Sequence, residues 1–164
     1  MGETLMSKAA VLERLPEHPA VKAILAWKSE ALLDAWFDRG ELTLTIAAEE
    51  IRSAAVTVQA AGYNFFEDVT AVDWYPSSPR FQLSYHIVSH THKERIRLRV
   101  LLDGDAPAVE SITSVWPAAN FYEREVFDLF GIGFEGHPNL RRIMMPDDWQ
   151  GHPLRKDYPV EGYR

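Results

Sequence analysis

The sequence predicts an α+β fold: an antiparallel sheet with helices packed on one face, followed by a short helix and an extended C-terminal tail. Three observations carry this. Phe81/Leu83/Tyr85/Ile87 and Ile96/Leu98/Val100/Leu102 alternate apolar with polar residues, the pattern of strands with one buried face. Short turns, Pro76-Ser77-Ser78-Pro79 and His92-Lys93-Glu94, separate the strand candidates, and short connections make neighbouring strands antiparallel. Ile51, Ala54, Ala55 and Val58 recur at helical spacing and supply an apolar stripe to cover such a sheet. At 164 residues, 46% hydrophobic and 25% charged, the chain is large enough for one cored domain plus an appendage.

In chain order, Ser7 to Leu15 reads as a short helix with Ser7 as its N-cap and Pro16 as its stop. His18 to Phe37 fits a helical period, yet Asp38-Arg39-Gly40 before the alternating Glu41-Leu42-Thr43-Leu44-Thr45-Ile46 is hairpin chemistry, and both readings stay open. Ala47 to Ala61 is an amphipathic helix stopped by Gly62. Strands follow over Asn64–Trp74, Phe81–Ser89 and Ile96–Leu102. Asn120 and Glu123 are spaced as a capping box for a helix that ends at Gly131, with Tyr122, Val126, Leu129 and Phe130 on one face. From residue 132 to 164 there are four prolines, four glycines and no periodic segment longer than a turn. The division is thus a body over 1–119, a helix over 120–131 and a tail over 132–164. A loop-like stretch of that length is functional or disordered. Its Trp149, Tyr158, Leu140, Leu154 and paired methionines favour a tail that orders on a partner.

Charge and composition exclude several function classes. Formal net charge is -7, and the tail with its helix (120–164) holds six Lys/Arg against eight Asp/Glu, so neither part offers the concentrated positive patch that nucleic acid requires. The absence of cysteine removes disulfides, thiol catalysis and thiolate ligation of metals or clusters. The N-terminal stretch shows neither a signal core nor an amphipathic leader, and no apolar run approaches a membrane span, so the expected chain is soluble or peripheral through partners.

The motifs that suggest chemistry lose to their context. Gly131-Ile132-Gly133-Phe134-Glu135-Gly136 spells G-x-G-x-x-G, but a helix precedes it and His137-Pro138 follows, the reverse of a dinucleotide site. The six histidines lack a convergent ligand set, and His137 and His152 read as surface or partner-contacting residues. On the 120–131 helix, Arg124 and Asp128 are four apart and pair, Glu125 neighbours Asp128, and Glu123 sits on the aromatic flank, which describes an ion-paired helix held against a charged partner. One phrase occurs twice in the tail: Gly136-His137-Pro138-Asn139-Leu140-Arg141-Arg142 and Gly151-His152-Pro153-Leu154-Arg155-Lys156. Each prolyl holds the preceding histidine extended, setting a bend before a leucine and a basic pair.

These residues also carry a resemblance. Glu123-Arg124-Glu125-Val126-Phe127-Asp128-Leu129-Phe130-Gly131-Ile132, Phe134, Gly136-His137-Pro138, Leu140-Arg141-Arg142-Ile143 and Gly151-His152-Pro153-Leu154-Arg155-Lys156-Asp157-Tyr158 resemble the signature of the respiratory complex I 30 kDa subunit family, the C subunit of the bacterial NADH-quinone oxidoreductase. The likeness extends upstream through Phe65–Asp73 and Ser111–Pro117 and covers roughly residues 40–158. Met144-Met145 departs from it, where a more branched aliphatic residue is expected.

The resemblance implies a cofactor-free, non-catalytic structural and assembly subunit in the quinone-reducing module of the peripheral arm. NADH, FMN, iron-sulfur clusters and quinone then belong to the complex, which translocates protons, and not to this chain. The implied partners are the large quinone-pocket subunit (49 kDa type) and the cluster-bearing subunit beside it, at the cytoplasmic face of the bacterial inner membrane. The implied interface comprises Glu123, Arg124, Glu125 and Asp128 on the helix, His137, Pro138, Leu140, Arg141 and Arg142 after the first bend, and His152, Pro153, Leu154, Arg155, Lys156, Asp157 and Tyr158 at the second. The alternative is the equivalent subunit of a membrane-bound hydrogenase or a ferredoxin- or F420H2-linked complex.

Overall fold

The computed structural model describes residues 6–163, so any leader within residues 1–5 and the terminal Arg164 lie outside the described residues. Both readings of residues 18–37 are realised in succession. Helix α1 (Lys8–Arg14) is followed by α2 (Pro19–Lys28), which starts at a proline where no intrahelical donor is lost. The chain then extends into β1 (Leu32–Asp38), turns at Arg39-Gly40 and returns as β2 (Glu41–Ile46). Both turn residues have positive φ, as a tight two-residue hairpin requires. Helix α3 (Ile51–Ala60) precedes three long strands, β3 (Phe65–Asp73), β4 (Phe81–Ser89) and β5 (Glu94–Leu102).

The five strands form one sheet in the order β1-β2-β5-β4-β3. All neighbours are antiparallel except β2 and β5, which run parallel with Leu42 opposite Ile96 and Leu44 opposite Leu98. That pairing joins strands far apart in sequence, which short connections cannot reveal, so the purely antiparallel expectation is corrected here. The alternating residues of β4 and β5 all face one core, joined by Val21 and Ile24 of α2, Ile51 and Val58 of α3, and Val126 and Phe130 of the last helix. The helices therefore cover one face, as expected.

The opposite face is polar and cross-linked. Arg97 donates to His86 Nε2 at 2.9 Å and to Glu41 at 2.9 Å, while His86 Nδ1 meets Asp68 at 2.6 Å. Arg99 donates to Thr45 at 2.9 Å with its guanidinium 4.0 Å above the Trp36 ring. These flattened arginines cover Thr43 and Thr45, each 1% exposed.

After β5 comes β6 (Ala108–Glu110), then α4 (Ala119–Phe130), then β7 (Gly133–Glu135). β6 and β7 pair in parallel, with Gly133 N–H donating to Pro107 and Ser111 N–H to Glu135. The start of the predicted tail is thus stitched to the body. A three-residue strand beside glycines has too little periodicity to be read from sequence.

Candidate functional site

Helix α4 and the strap that follows it contain every residue singled out above. Glu123 and Asp128 are both 0% exposed, and each is held by this chain itself. Glu123 accepts from Ile112 N–H at 2.8 Å and from the Ser111 hydroxyl at 2.6 Å, and among the described residues no cation pairs it closely: His137 Nε2 stands 4.0 Å away and is occupied by the Asn120 carbonyl. Burial pushes the Glu123 carboxyl up to about 7, against the lowering effect of its Ser111 and Ile112 donors. Ser111 and Ile112 claim both carboxylate oxygens, so the expected capping box does not form; the helix starts at Ala119.

Asp128 is the anchor of the strap. Its Oδ1 takes Arg142 at 2.6 Å, and its Oδ2 takes three successive backbone N–H groups, Ile143 at 2.9 Å, Met144 at 2.8 Å and Met145 at 2.9 Å. Burial alone would raise this carboxyl, but the three amides and Arg142 outweigh it and hold it below the ordinary range. With both oxygens saturated, the anticipated Arg124–Asp128 pair is absent: Arg124, almost buried, donates instead to the Arg141 and Arg142 carbonyls, each at 3.1 Å.

The doubled phrase acts at the two ends of this helix. His137 faces the Asn120 carbonyl at 3.2 Å in the first turn, while its Nδ1 accepts from Asn139 N–H at 3.0 Å. His152 Nδ1 donates to the Asp128 carbonyl at 2.9 Å in the last turn. Burial and the adjacent Arg155 and Arg142 cations keep His152 below its usual value, despite the bond to Asp128, so the ring is neutral near pH 7. The final carbonyls of α4, which an isolated helix leaves without partners, are closed by Leu154 N–H on Leu129 at 3.0 Å and Arg155 on Phe130 at 2.6 Å. Two arginines at a helix C-terminus also match its negative pole.

Gly131 makes this closure possible. Its φ of +71 ends the helix in the left-handed region, and an added Cβ would lie 2.5 Å from the His152 ring and 2.8 Å from Arg155. Gly131→Ala is expected to destabilise the chain by about 1–2 kcal/mol from backbone strain alone, with further loss as the His152 ring is displaced. Urea unfolding and the His152 ring resonances check both parts.

A second latch joins the strap to the β3–β4 turn. Asp73 accepts from Arg80 through both oxygens, at 2.9 and 2.8 Å, and from the N–H groups of Tyr75 at 2.9 Å and Lys156 at 2.8 Å. Arg80 also grips Asp157 at 2.7 Å. Burial works against ionisation of Asp73, but Arg80 and the two amides win and bring it to about 2. A carboxyl lowered from 3.8 to about 2 stabilises the fold above pH 4, and that contribution, about 2 kcal/mol, is lost as pH falls through 2. Acid titration of the wild type against Asp73→Asn checks this: the variant lacks that limb of the curve.

Glu123, Arg124, Asp128, Arg142, His137, His152 and Arg155 all make hydrogen bonds within the chain, because the segments flanking α4 satisfy its interior charges. The residues left facing outward are Glu125, Pro138, Arg141, Leu154, Lys156 and Asp157, with Leu140, Pro153 and Tyr158 partly covered. Among the described residues no partner engages the side chains of Glu125, Arg141 or Lys156. No cluster of three His, Asp or Glu residues that could hold a metal exists among the described residues either. Ile143 and Met144, outside the expected set, are exposed beside Arg141. The arrangement presents a surface and gives no solute direct access to its two buried carboxylates.

The family model described as respiratory-chain NADH dehydrogenase, 30 Kd subunit, matches residues 44–164. The chain belongs to that family. Among its relatives, the NADH-quinone oxidoreductase C subunit of Citrifermentans bemidjiense is 47% identical over 82% of this chain and 84% of its own length. The corresponding C subunit of Roseiflexus sp. is 43% identical over 94% of this chain and 86% of its own. Two solved structures share the fold of this 30 kDa subunit family member. A trypsin-resistant fragment of Nqo5 matches at TM-score 0.63 and 31% identity, over 79% of this chain and 98% of the fragment. A chain of the membrane-bound sulfane sulfur reductase, an archaeal respiratory membrane complex, matches at TM-score 0.76 and 26% identity, over 88% of this chain and 86% of that one.

Proposed function

We propose that this chain is a cofactor-free, non-catalytic scaffold subunit in the peripheral arm of a proton-translocating NADH-quinone oxidoreductase. It supports electron transfer from NADH through FMN and iron-sulfur clusters, held by other subunits, to quinone. The observation that carries this reading is the family match together with relatives 43–47% identical over most of the chain, each named as the C subunit of that enzyme. No described helix is long and apolar enough to cross a membrane. In this reading the chain is attached through its partners at the cytoplasmic face. The docking surface is the outer side of the strap, with Arg141, Lys156, Leu154 and Glu125 facing the large quinone-pocket subunit and the cluster-bearing subunit beside it.

Arg141→Glu combined with Lys156→Glu is expected to lower copurification of the large subunit severalfold from native membranes, while stability stays within about 0.5 kcal/mol of wild type, as for exposed sites. Unchanged copurification would remove the strap from the interface. Mass spectrometry of the partners held by the tagged wild-type chain tests the parent assignment.

A second reading has one observation in its favour: the archaeal sulfane sulfur reductase chain superposes well over most of this one. An equivalent subunit of another respiratory membrane complex, hydrogenase-like or ferredoxin-linked, is the form it takes. Recovery of a cysteine-paired, hydrogenase-type large subunit in the same purification would select it.

A further inference from the structure

At the N-terminal end of α4 a single N–H group stands between two acceptors. His137 Nδ1 accepts from Asn139 N–H at 3.0 Å, so the ring proton sits on Nε2. That nitrogen lies 3.2 Å from the Asn120 carbonyl and 4.0 Å from Glu123 Oε2. The side chains of His137 and Glu123 are both 0% exposed. The ring is therefore confined to a choice between a backbone carbonyl and a carboxyl on the next turn of the same helix.

The protonation of Glu123 decides that choice. Its carboxyl has an exit for a proton: Ser111 Oγ is 2.6 Å from Oε2 and 2.8 Å from Thr113 Oγ1, and Thr113 is half-buried. As an acid, Glu123 gives its O–H to Ser111, which turns its own toward Thr113. As a carboxylate it accepts from Ser111 and from Ile112 N–H, and holds a buried charge on two donors. A third donor then gains more there than at Asn120, because hydrogen bonds to ionised acceptors are roughly twice as strong as neutral ones. Asn120 loses little in exchange. Its carbonyl lies four residues before Arg124 in α4, where the helix supplies an N–H of its own.

Tyr85 of β4 is the other titratable group that meets the Glu123 charge from a packed element, and its buried hydroxyl has no hydrogen-bond partner among the described residues. On α4 itself, Arg124 and Asp128 are turned to the strap at residues 141–145. Tyr85 is the competing donor, but it stands in a strand flanked on both sides by others. His137 moves more easily, since it follows Gly136, which has open space around it.

We propose that His137 is a proton-linked latch: it holds the Asn120 carbonyl while Glu123 is an acid, and turns to the carboxylate when the proton leaves through Ser111 and Thr113 to water. The first Gly-His-Pro bend thus has two seatings on α4, and pH selects between them. The second bend has no such choice, because His152 sits on the carbonyl of Asp128, whose carboxylate is already saturated. The latch lies inside the chain and holds for any complex the chain joins.

The test is nuclear magnetic resonance of the full chain, labelled with 15N-histidine and 13C-glutamate and titrated across pH 7. The His137 Nε2–H signal is expected to move downfield in a step that coincides with the Glu123 carboxyl step near 7, while Nδ1 keeps the signature of a bare acceptor. The Asn139 amide, bonded to the same ring, loses hydrogen-exchange protection severalfold above the step. Glu123→Gln abolishes the step, and Tyr85→Phe leaves it in place. The latch is overturned by a His137 step that persists in Glu123→Gln, by one that brings a proton to Nδ1, or by a wild-type Glu123 step that leaves His137 unmoved. A Glu123 carboxyl that keeps one form throughout overturns it as well. Loss of the step in Tyr85→Phe assigns the carboxylate to Tyr85 instead, and is equally fatal.

Discussion

Asp128→Ala is expected to cost about 3–5 kcal/mol and to free the strap from Arg141 onward, because it strips the partner from a largely buried arginine. The wild-type carboxylate collects Arg142 and three consecutive amides. Without it, Arg142 retains only carbonyl partners such as Gly151, and the amides of Ile143, Met144 and Met145 must turn to water. The last turn of α4 then loses its cover, since His152, Leu154 and Arg155 reach its carbonyls only while the strap lies in place. Asp128→Asn keeps the volume but turns an NH2 group toward N–H donors, so it stays destabilised. Two measurements check this: the free energy of urea unfolding, and the rate of tryptic cleavage at Arg141, Arg142, Arg155 and Lys156, which rises as the strap opens. A variant as stable and as resistant as wild type would show that Asp128 is no anchor.

The second large effect is on pH. Glu123 is raised from 4.5 to about 7, so the folded state holds a proton that the unfolded chain releases at lower pH. Its contribution is full below pH 4.5 and is lost as pH rises through 7, a decline of about 3 kcal/mol from this group. Asp73 acts in the opposite direction at lower pH. These two groups together therefore favour maximum stability near pH 4 to 5, below the usual optimum. Glu123→Gln keeps an acceptor for Ile112 N–H and an NH2 that donates to Ser111, and it carries no charge to bury. The expected result is a profile from which the decline between pH 5 and 7 is missing, and a variant more stable than wild type at pH 8. The same slope in both proteins would remove Glu123 as its cause.

What the sequence showed and what it hid follow from the range of the interactions. The strands at Phe81–Ser89 and Glu94–Leu102 and the arrest of α4 at Gly131 depend on residues within a few positions of each other, and they were legible. Family membership was legible too, because the Glu123–Ile132 run and the doubled phrase are long and compositionally odd. The parallel pairing of β2 with β5 was not, since nothing local marks it. The interior placement of Glu123 and Asp128 was hidden for a related reason. A charged residue on a helix defaults to solvent, and Ser111, Ile112, Arg142 and the amides of 143–145, distant in sequence, reverse that default. The single signal available was spacing: each Gly-His-Pro falls a short step before a basic pair, as a segment folding back on one helix requires.

The closure of α4 by Leu154 and Arg155 has a consequence for the order in which the protein is made. Synthesis runs from the N-terminus, and the body through β5 can pack while the rest is still being added. The helix cannot satisfy its last carbonyls until Leu154 and Arg155, more than twenty residues further on, have left the ribosome. A nascent chain that has not yet reached residue 142 therefore exposes the bare end of α4 and the Asp128 carboxylate together, and residues 142–155 bury them. The surface offered for assembly therefore takes its final form only once residues 142–155 are in place.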